Sequence, residues 1–255
     1  MRSAFVKPLL LVSLIITGLW SCTDEKEELP VTPLTDYLPL TPGKYITYRI
    51  DSLVTTAFNL GMEVHSYQVR HVVDAEITDN LGRPSYRIFR FLNNADGTGE
   101  WTPNGSYQVT KSANGIEVIE DNLRFLKLQQ PVRDGFTWKG NRYLPANPYN
   151  GFGYLMANDD LMRNWDFFYD LTSSSFTYDG NTYDDIITVE QADEQYNIPI
   201  EPGFIAYVTR SVDRYARNIG LVYREYTMWE YQPNLTGPNP TYNGFGITMW
   251  MVDHN

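Results

Sequence analysis

Three histidines, His65, His71 and His254, and a single cysteine, Cys22, are all the imidazole and thiol in this 255-residue chain. A nucleophilic triad needs a base beside its serine or cysteine. No Gly-x-Ser-x-Gly elbow is present, and Ser173-Ser174-Ser175 lies in a turn-like run with no histidine near it. His65 and His71, on one strand, would face the same side but stand ~20 Å apart at ~3.3 Å per residue. That is too far to share a metal, and no His-Glu-x-x-His or cysteine cluster accompanies them. No metal or cofactor is expected.

The stretch Asp179-Gly180-Asn181-Thr182-Tyr183-Asp184-Asp185 has oxygen side chains at alternate positions and Glu190 at the twelfth place of a calcium loop. Tyr183 stands where a short oxygen ligand belongs, however, and Asp184 stands where such loops turn on glycine. Strand-like flanks favour a hairpin turn at Asp179-Gly180. Carboxylate pairs for glycoside hydrolysis need a ~5–10 Å separation across a cleft. Among 31 acidic residues the sequence singles out no such pair. Trp101, Trp138, Trp165, Trp229 and Trp250, with 19 tyrosines, could stack on sugar rings or simply pack a sheet. Trp101, beside Thr102-Pro103-Asn104-Gly105, is the tryptophan placed nearest a loop and the candidate ligand contact. Catalytic residues are not identifiable.

Cys22 carries the clearest chemistry, because of what precedes it. Arg2 and Lys7 introduce an apolar run from Pro8 to Leu19. This is the layout of a secretory signal, and it falls short of the ~20 apolar residues that a membrane-spanning helix needs. With one cysteine, no intrachain disulfide can form. The segment ends Leu19-Trp20-Ser21-Cys22, which resembles the lipobox of bacterial lipoproteins; Leu19 and Ser21 fit that pattern, while Trp20 replaces its usual small residue. The resemblance implies cleavage after residue 21 and a diacylglycerol thioether on Cys22. Each buried methylene contributes ~0.8 kcal/mol, so two or three acyl chains hold a protein at a membrane face without a span.

Residues 22–36 read as a tether, with Thr23-Asp24-Glu25-Lys26-Glu27-Glu28 followed by Pro30 and Pro33. Its composition suits a solvated spacer. It also resembles the acidic surface-export signal of Bacteroidetes lipoproteins, which implies an outer-membrane location, either surface-exposed or on the periplasmic face. Both readings stay open. The chain has a formal charge of −11, and loss of Arg2 and Lys7 with the signal leaves about −13. Nucleic acid is excluded as a partner, because phosphate neutralisation needs clustered Lys and Arg.

Residues 37–255 must supply the scaffold. Alternation of apolar and polar residues dominates, as in Lys44–Asp51 and in Tyr67–Ile77. Further strands are expected at 85–92, 106–111, 115–120, 122–128, 136–143, 183–191, 204–214, 219–231 and 246–252. Asp96-Gly97, Asn104-Gly105, Asn114-Gly115 and Asp179-Gly180 offer the positive φ of tight hairpins. Only Asp159–Asp170 looks helical. A sheet of about ten twisted strands must curl or split to bury a face. The expected fold is therefore mainly β: one antiparallel curved sheet, half-barrel or barrel with one short helix, and a β-sandwich as the alternative.

Three phrases are similar to uncharacterised envelope lipoproteins of Bacteroidetes: Tyr37-Leu38-Pro39-Leu40-Thr41-Pro42-Gly43-Lys44-Tyr45 continuing to Tyr48 and Asp51-Ser52; Phe125-Leu126-Lys127-Leu128 then Pro131-Val132-Arg133-Asp134-Gly135-Phe136-Thr137-Trp138-Lys139-Gly140-Asn141; and Tyr215-Ala216-Arg217-Asn218-Ile219-Gly220-Leu221-Val222-Tyr223-Arg224-Glu225. The resemblance implies a shared β fold and an envelope location, and transfers no catalytic residue. The expected function is a non-catalytic lipoprotein whose β domain binds a ligand, a glycan among them, or a protein partner. A structural component of an envelope complex is the alternative, and a glycan hydrolase the less favoured one.

Overall fold

The computed structural model describes residues 32–154, 159–234, 237 and 239–255. Cys22 and most of the expected tether lie outside them. The compact unit spans Thr32–Asn255, so Leu34–Asp36, at the end of the expected tether, belong to it. They form part of α1 (Leu34–Tyr37), whose Leu34 and Tyr37 are buried and whose Asp36 pairs with Arg217 at 3.1 Å.

Thirteen strands are described: β1 (Tyr45–Thr55), β2 (Met62–Thr78), β3 (Pro84–Asn93), β4 (Thr102–Lys111), β5 (Gly115–Glu120), β6 (Leu123–Gln129), β7 (Thr137–Trp138), β8 (Phe167–Tyr169), β9 (Ser174–Tyr178), β10 (Asn181–Tyr196), β11 (Ala206–Ala216), β12 (Gly220–Gln232) and β13 (Thr241–His254). They form one antiparallel sheet in the order β6-β5-β4-β3-β2-β1-β13-β12-β11-β10-β8-β7, with β9 paired to the start of β10. Consecutive strands are neighbours nearly everywhere, so short turns suffice. Asp121-Asn122 and Asp179-Gly180 are two-residue turns with positive φ at both positions, which matches the twist of the strands they join.

The sheet curls until its edges almost meet, giving a nearly closed barrel. Closure hides edges that would otherwise offer unpaired backbone groups. At the seam, Leu126 N–H on β6 donates to the Gly140 carbonyl at 2.8 Å, and the Trp138 indole N–H donates to the Leu126 carbonyl at 2.8 Å. The Tyr169 hydroxyl accepts from Gln129 N–H at 3.1 Å and donates to its carbonyl at 2.8 Å. Gly140 is required here, since a Cβ would lie 2.3 Å from the Phe167 ring.

Two local expectations resolve differently. The 136–143 strand is confined to Thr137–Trp138, because the chain then leaves the ladder to bring Gly140 against β6. The helix expected at 159–170 is a 3-10 turn at Asp159–Asn164 followed by β8. Phe167 and Tyr169 alternate into the core with no exposure, and that burial outweighs the weak helical pattern. Asn104-Gly105 lies within β4, not between strands.

Candidate functional site

Period-two alternation sends every second residue of the long strands into the bore. On β13 these are Phe245, Ile247 and Met249; on β12, Arg224 and Tyr226; on β2, Tyr67, Val69 and His71. Intervening residues face outward, where Trp250 and Tyr223 lie under Phe176 and Tyr178 of the β9–β10 hairpin, with ring centroids about 5 Å apart.

Within the bore lies a cavity of about 390 Å³ that reaches the exposed residues Asn104, Asp121 and Phe152. These belong to the end of the barrel carrying the β1–β2, β5–β6 and β10–β11 turns. A smaller cavity of about 80 Å³ lies toward the other end. His71, Glu120 and Arg224 line both, so a polar layer crosses the waist of the barrel and forms the floor of the larger cavity. Its walls are apolar, built from Ile50, Val69, Leu92, Phe245, Ile247 and Met249.

Asp213 on β11 is the centre of the polar layer and is 1% exposed. Its carboxylate accepts from Arg224 Nε at 2.6 Å and Nη2 at 3.3 Å, Lys127 Nζ at 3.0 Å, Gln191 Nε2 at 2.9 Å and the Tyr215 hydroxyl at 3.3 Å. Gln191 is oriented in turn by Ser211, whose hydroxyl donates to its Oε1 at 2.8 Å. Burial pushes the Asp213 carboxyl up, but the charges of Arg224 and then Lys127 reverse this and hold it below the usual range. Lys127 is pulled down by burial against the attraction of Asp213. For Arg224, burial works downward and Asp213 more than compensates, so its guanidinium stays charged.

Arg90 and Glu120 add a second ion pair at 2.5 Å. His71 lies edge-on between Tyr48 and Tyr107, with ring centroids 5.1 and 5.3 Å away, and its Nδ1 shares a 3.1 Å hydrogen bond with the Tyr107 hydroxyl. Burial first, then Arg90 and Arg224, push its pKa down to about 3, so the ring is neutral. Asn141, 1% exposed, also lines the cavity, and its Oδ1 has no hydrogen-bond partner among the described residues.

The sequence-derived candidates fall elsewhere. Trp101 is half-buried and lines neither cavity; the Arg70 guanidinium covers its ring at 4.5 Å. Trp138 is spent on the seam. His65 is exposed and bonds Glu63 at 3.0 Å, far from the floor that His71 joins. Asp179-Gly180 is a hairpin turn. Among the described residues no group of three or more His, Cys, Asp or Glu is placed to hold a metal ion.

The sequence reading gave no functional role to Lys127, Asp213 or Arg224. The available signal was phase: Arg224 shares the parity of Val222, Tyr226 and Met228, which are core-facing or half-buried. In the comparisons with known proteins, no family model and no curated sequence matches the chain.

Proposed function

We propose that the protein is an envelope lipoprotein, held at the outer membrane by acyl chains on Cys22, whose barrel binds a small, largely apolar molecule without transforming it. The observation that carries this reading is the cavity of about 390 Å³ with apolar walls and a fixed polar floor. Small-molecule sites combine this range of volume with mostly apolar lining and a few placed polar groups. Asp213 orients Lys127, Arg224, Gln191 and Tyr215 on the floor through its hydrogen bonds, which suits recognition. The lipobox-like Leu19-Trp20-Ser21-Cys22 supports the anchor.

The test uses the full chain carrying Cys22→Ser, which removes the acyl group and keeps the barrel. An environment-sensitive apolar fluorophore should bind with one-site stoichiometry, and solvent extraction of the purified protein should release a co-purified small molecule identifiable by mass spectrometry. A barrel that neither takes up the fluorophore nor carries any extractable molecule refutes the binding reading.

A protein partner seated over the mouth is the second reading. It is favoured by Phe58, Val64, Phe204 and Ile205, which are 89%, 58%, 60% and 48% exposed on turns and strand ends at the mouth end. Crosslinking from these positions in whole cells, with no adduct formed, would count against it.

A further inference from the structure

We infer that the ligand is an amphipathic monoanion whose negative head sits between Lys127 and Arg224 on the cavity floor, with its apolar body along Phe245, Ile247 and Met249. The inference rests on the binding reading above and specifies the ligand's chemistry.

Two observations carry it. The first is charge. Lys127, Arg224 and Arg90 bring three cations to the floor, and Asp213 and Glu120 bring two carboxylates. His71 is neutral and does not alter this balance. Asp121, at the rim with its side chain 52% exposed, also pairs with Arg90, at 3.7 Å. Arg90 thus has two carboxylate partners, whereas the two cations Lys127 and Arg224 share the single carboxylate of Asp213, which leaves a local positive excess at that pair. A buried charge without a counter-charge is costly, and a ligand anion would supply the missing partner.

The second observation is donor inventory. A lysine ammonium has three N–H donors and an arginine has five. Among the described residues, Lys127 Nζ has one hydrogen-bond acceptor, Asp213 Oδ2, and Arg224 donates through Nε and Nη2 to Asp213 alone. Asp213 already accepts from four side chains and has little capacity left. The spare donors of Lys127 and of Arg224 Nη1 therefore lie on two side chains that both line the cavity. A carboxylate, with two acceptor oxygens, fits that pair; an ammonium head would meet surplus positive charge.

The experiment is a displacement titration on the full chain with Cys22→Ser, using decanoate, decanol and decylamine, which share one alkyl length and differ in head charge. Decanoate should bind about ten- to a hundredfold more tightly than decanol, the range expected for hydrogen bonds to charged groups, and decylamine should bind weakest. Lys127→Met should bring decanoate down to the decanol level without changing decanol, and Lys127→Arg should keep the preference. Decanol or decylamine binding as tightly as decanoate would overturn the anionic head and leave the binding reading intact. If the fluorophore binds and none of the three displaces it, this inference fails and the binding reading stands; a barrel that takes up no fluorophore and carries no extractable molecule fails both.

Discussion

Lys127 Nζ on β6 reaches Asp213 Oδ2 on β11 at 3.0 Å, although these strands are never paired and lie far apart in the sheet order. The contact exists only because the sheet closes on itself. It therefore links barrel closure to the floor of the cavity. Replacing Asp213 by Asn leaves Lys127 and Arg224 without their shared counter-charge. Removing one partner of a buried ion pair typically costs about 3–5 kcal/mol, so Asp213→Asn should lower the urea unfolding midpoint accordingly. A change below about 1 kcal/mol would show that the layer is hydrated and not a sealed floor.

Acid should loosen the barrel before the carboxylates titrate. His71 stays neutral in the fold, with a pKa pushed down to about 3, whereas in the unfolded chain it titrates near 6.5. Between those values the unfolded chain takes up a proton that the barrel refuses. Stability then falls as pH drops from 6.5, by up to about 1.4 kcal/mol per unit. Asp213, whose pKa is depressed, adds a loss in the same direction below about pH 4. Urea midpoints at pH 7.5, 6 and 5 should fall in that order, and His71→Phe should flatten the series.

The seam should be measurable on its own. Trp138→Phe removes the indole donor to the Leu126 carbonyl, and Tyr169→Phe removes both bonds to Gln129. Each lost hydrogen bond is worth about 0.5–1.5 kcal/mol. Amide hydrogen exchange of Leu126–Gln129 should accelerate in both variants while β12 and β13 keep their protection. Uniform acceleration across the sheet would instead mean that the seam opens only with global unfolding.

Filling the bore should abolish binding and spare the fold. Ile247→Trp projects a larger side chain from the wall into the cavity of about 390 Å³. Fluorophore binding should weaken at least tenfold, with a stability change under about 1.5 kcal/mol because the added volume meets open space. Unchanged affinity would place the ligand elsewhere on the protein.

Anchoring is checked separately. Cys22→Ser should move the protein from the membrane fraction to the soluble fraction, and mass spectrometry of the parent should show the acylated cysteine. Since stable anchoring takes two chains, a singly acylated product should partition between both fractions.

Much of this architecture was legible because β strands announce themselves through parity. Tyr67, Val69 and His71 alternate with Gln68 and Arg70, and the structure turns the first set into the bore. Phe167 and Tyr169 were hidden because the preceding Asp159-Asp160 and the dense aromatic run imitate an amphipathic helix; their burial against the seam is a tertiary event. The floor was harder still. Lys127, Asp213 and Arg224 are charged residue types ordinarily left in solvent, Arg224 standing out only by its core-facing parity, and only closure across 86 residues brings the first two together. Trp101 drew notice by its neighbours in sequence, which say nothing about Arg70 lying across its ring.

Among the described residues the seam is held by an indole, a phenol, one main-chain bond between Leu126 and Gly140 and the Lys127–Asp213 pair, where the long strands share extended ladders. The barrel's circumference is thus set there by the rings of Trp138 and Tyr169, which are 5% and 0% exposed and packed against Phe136 and Phe167. A guest too broad for the resting bore would have to dislodge these packed rings, so under the proposed binding reading the clasp also limits the girth that the bore accepts.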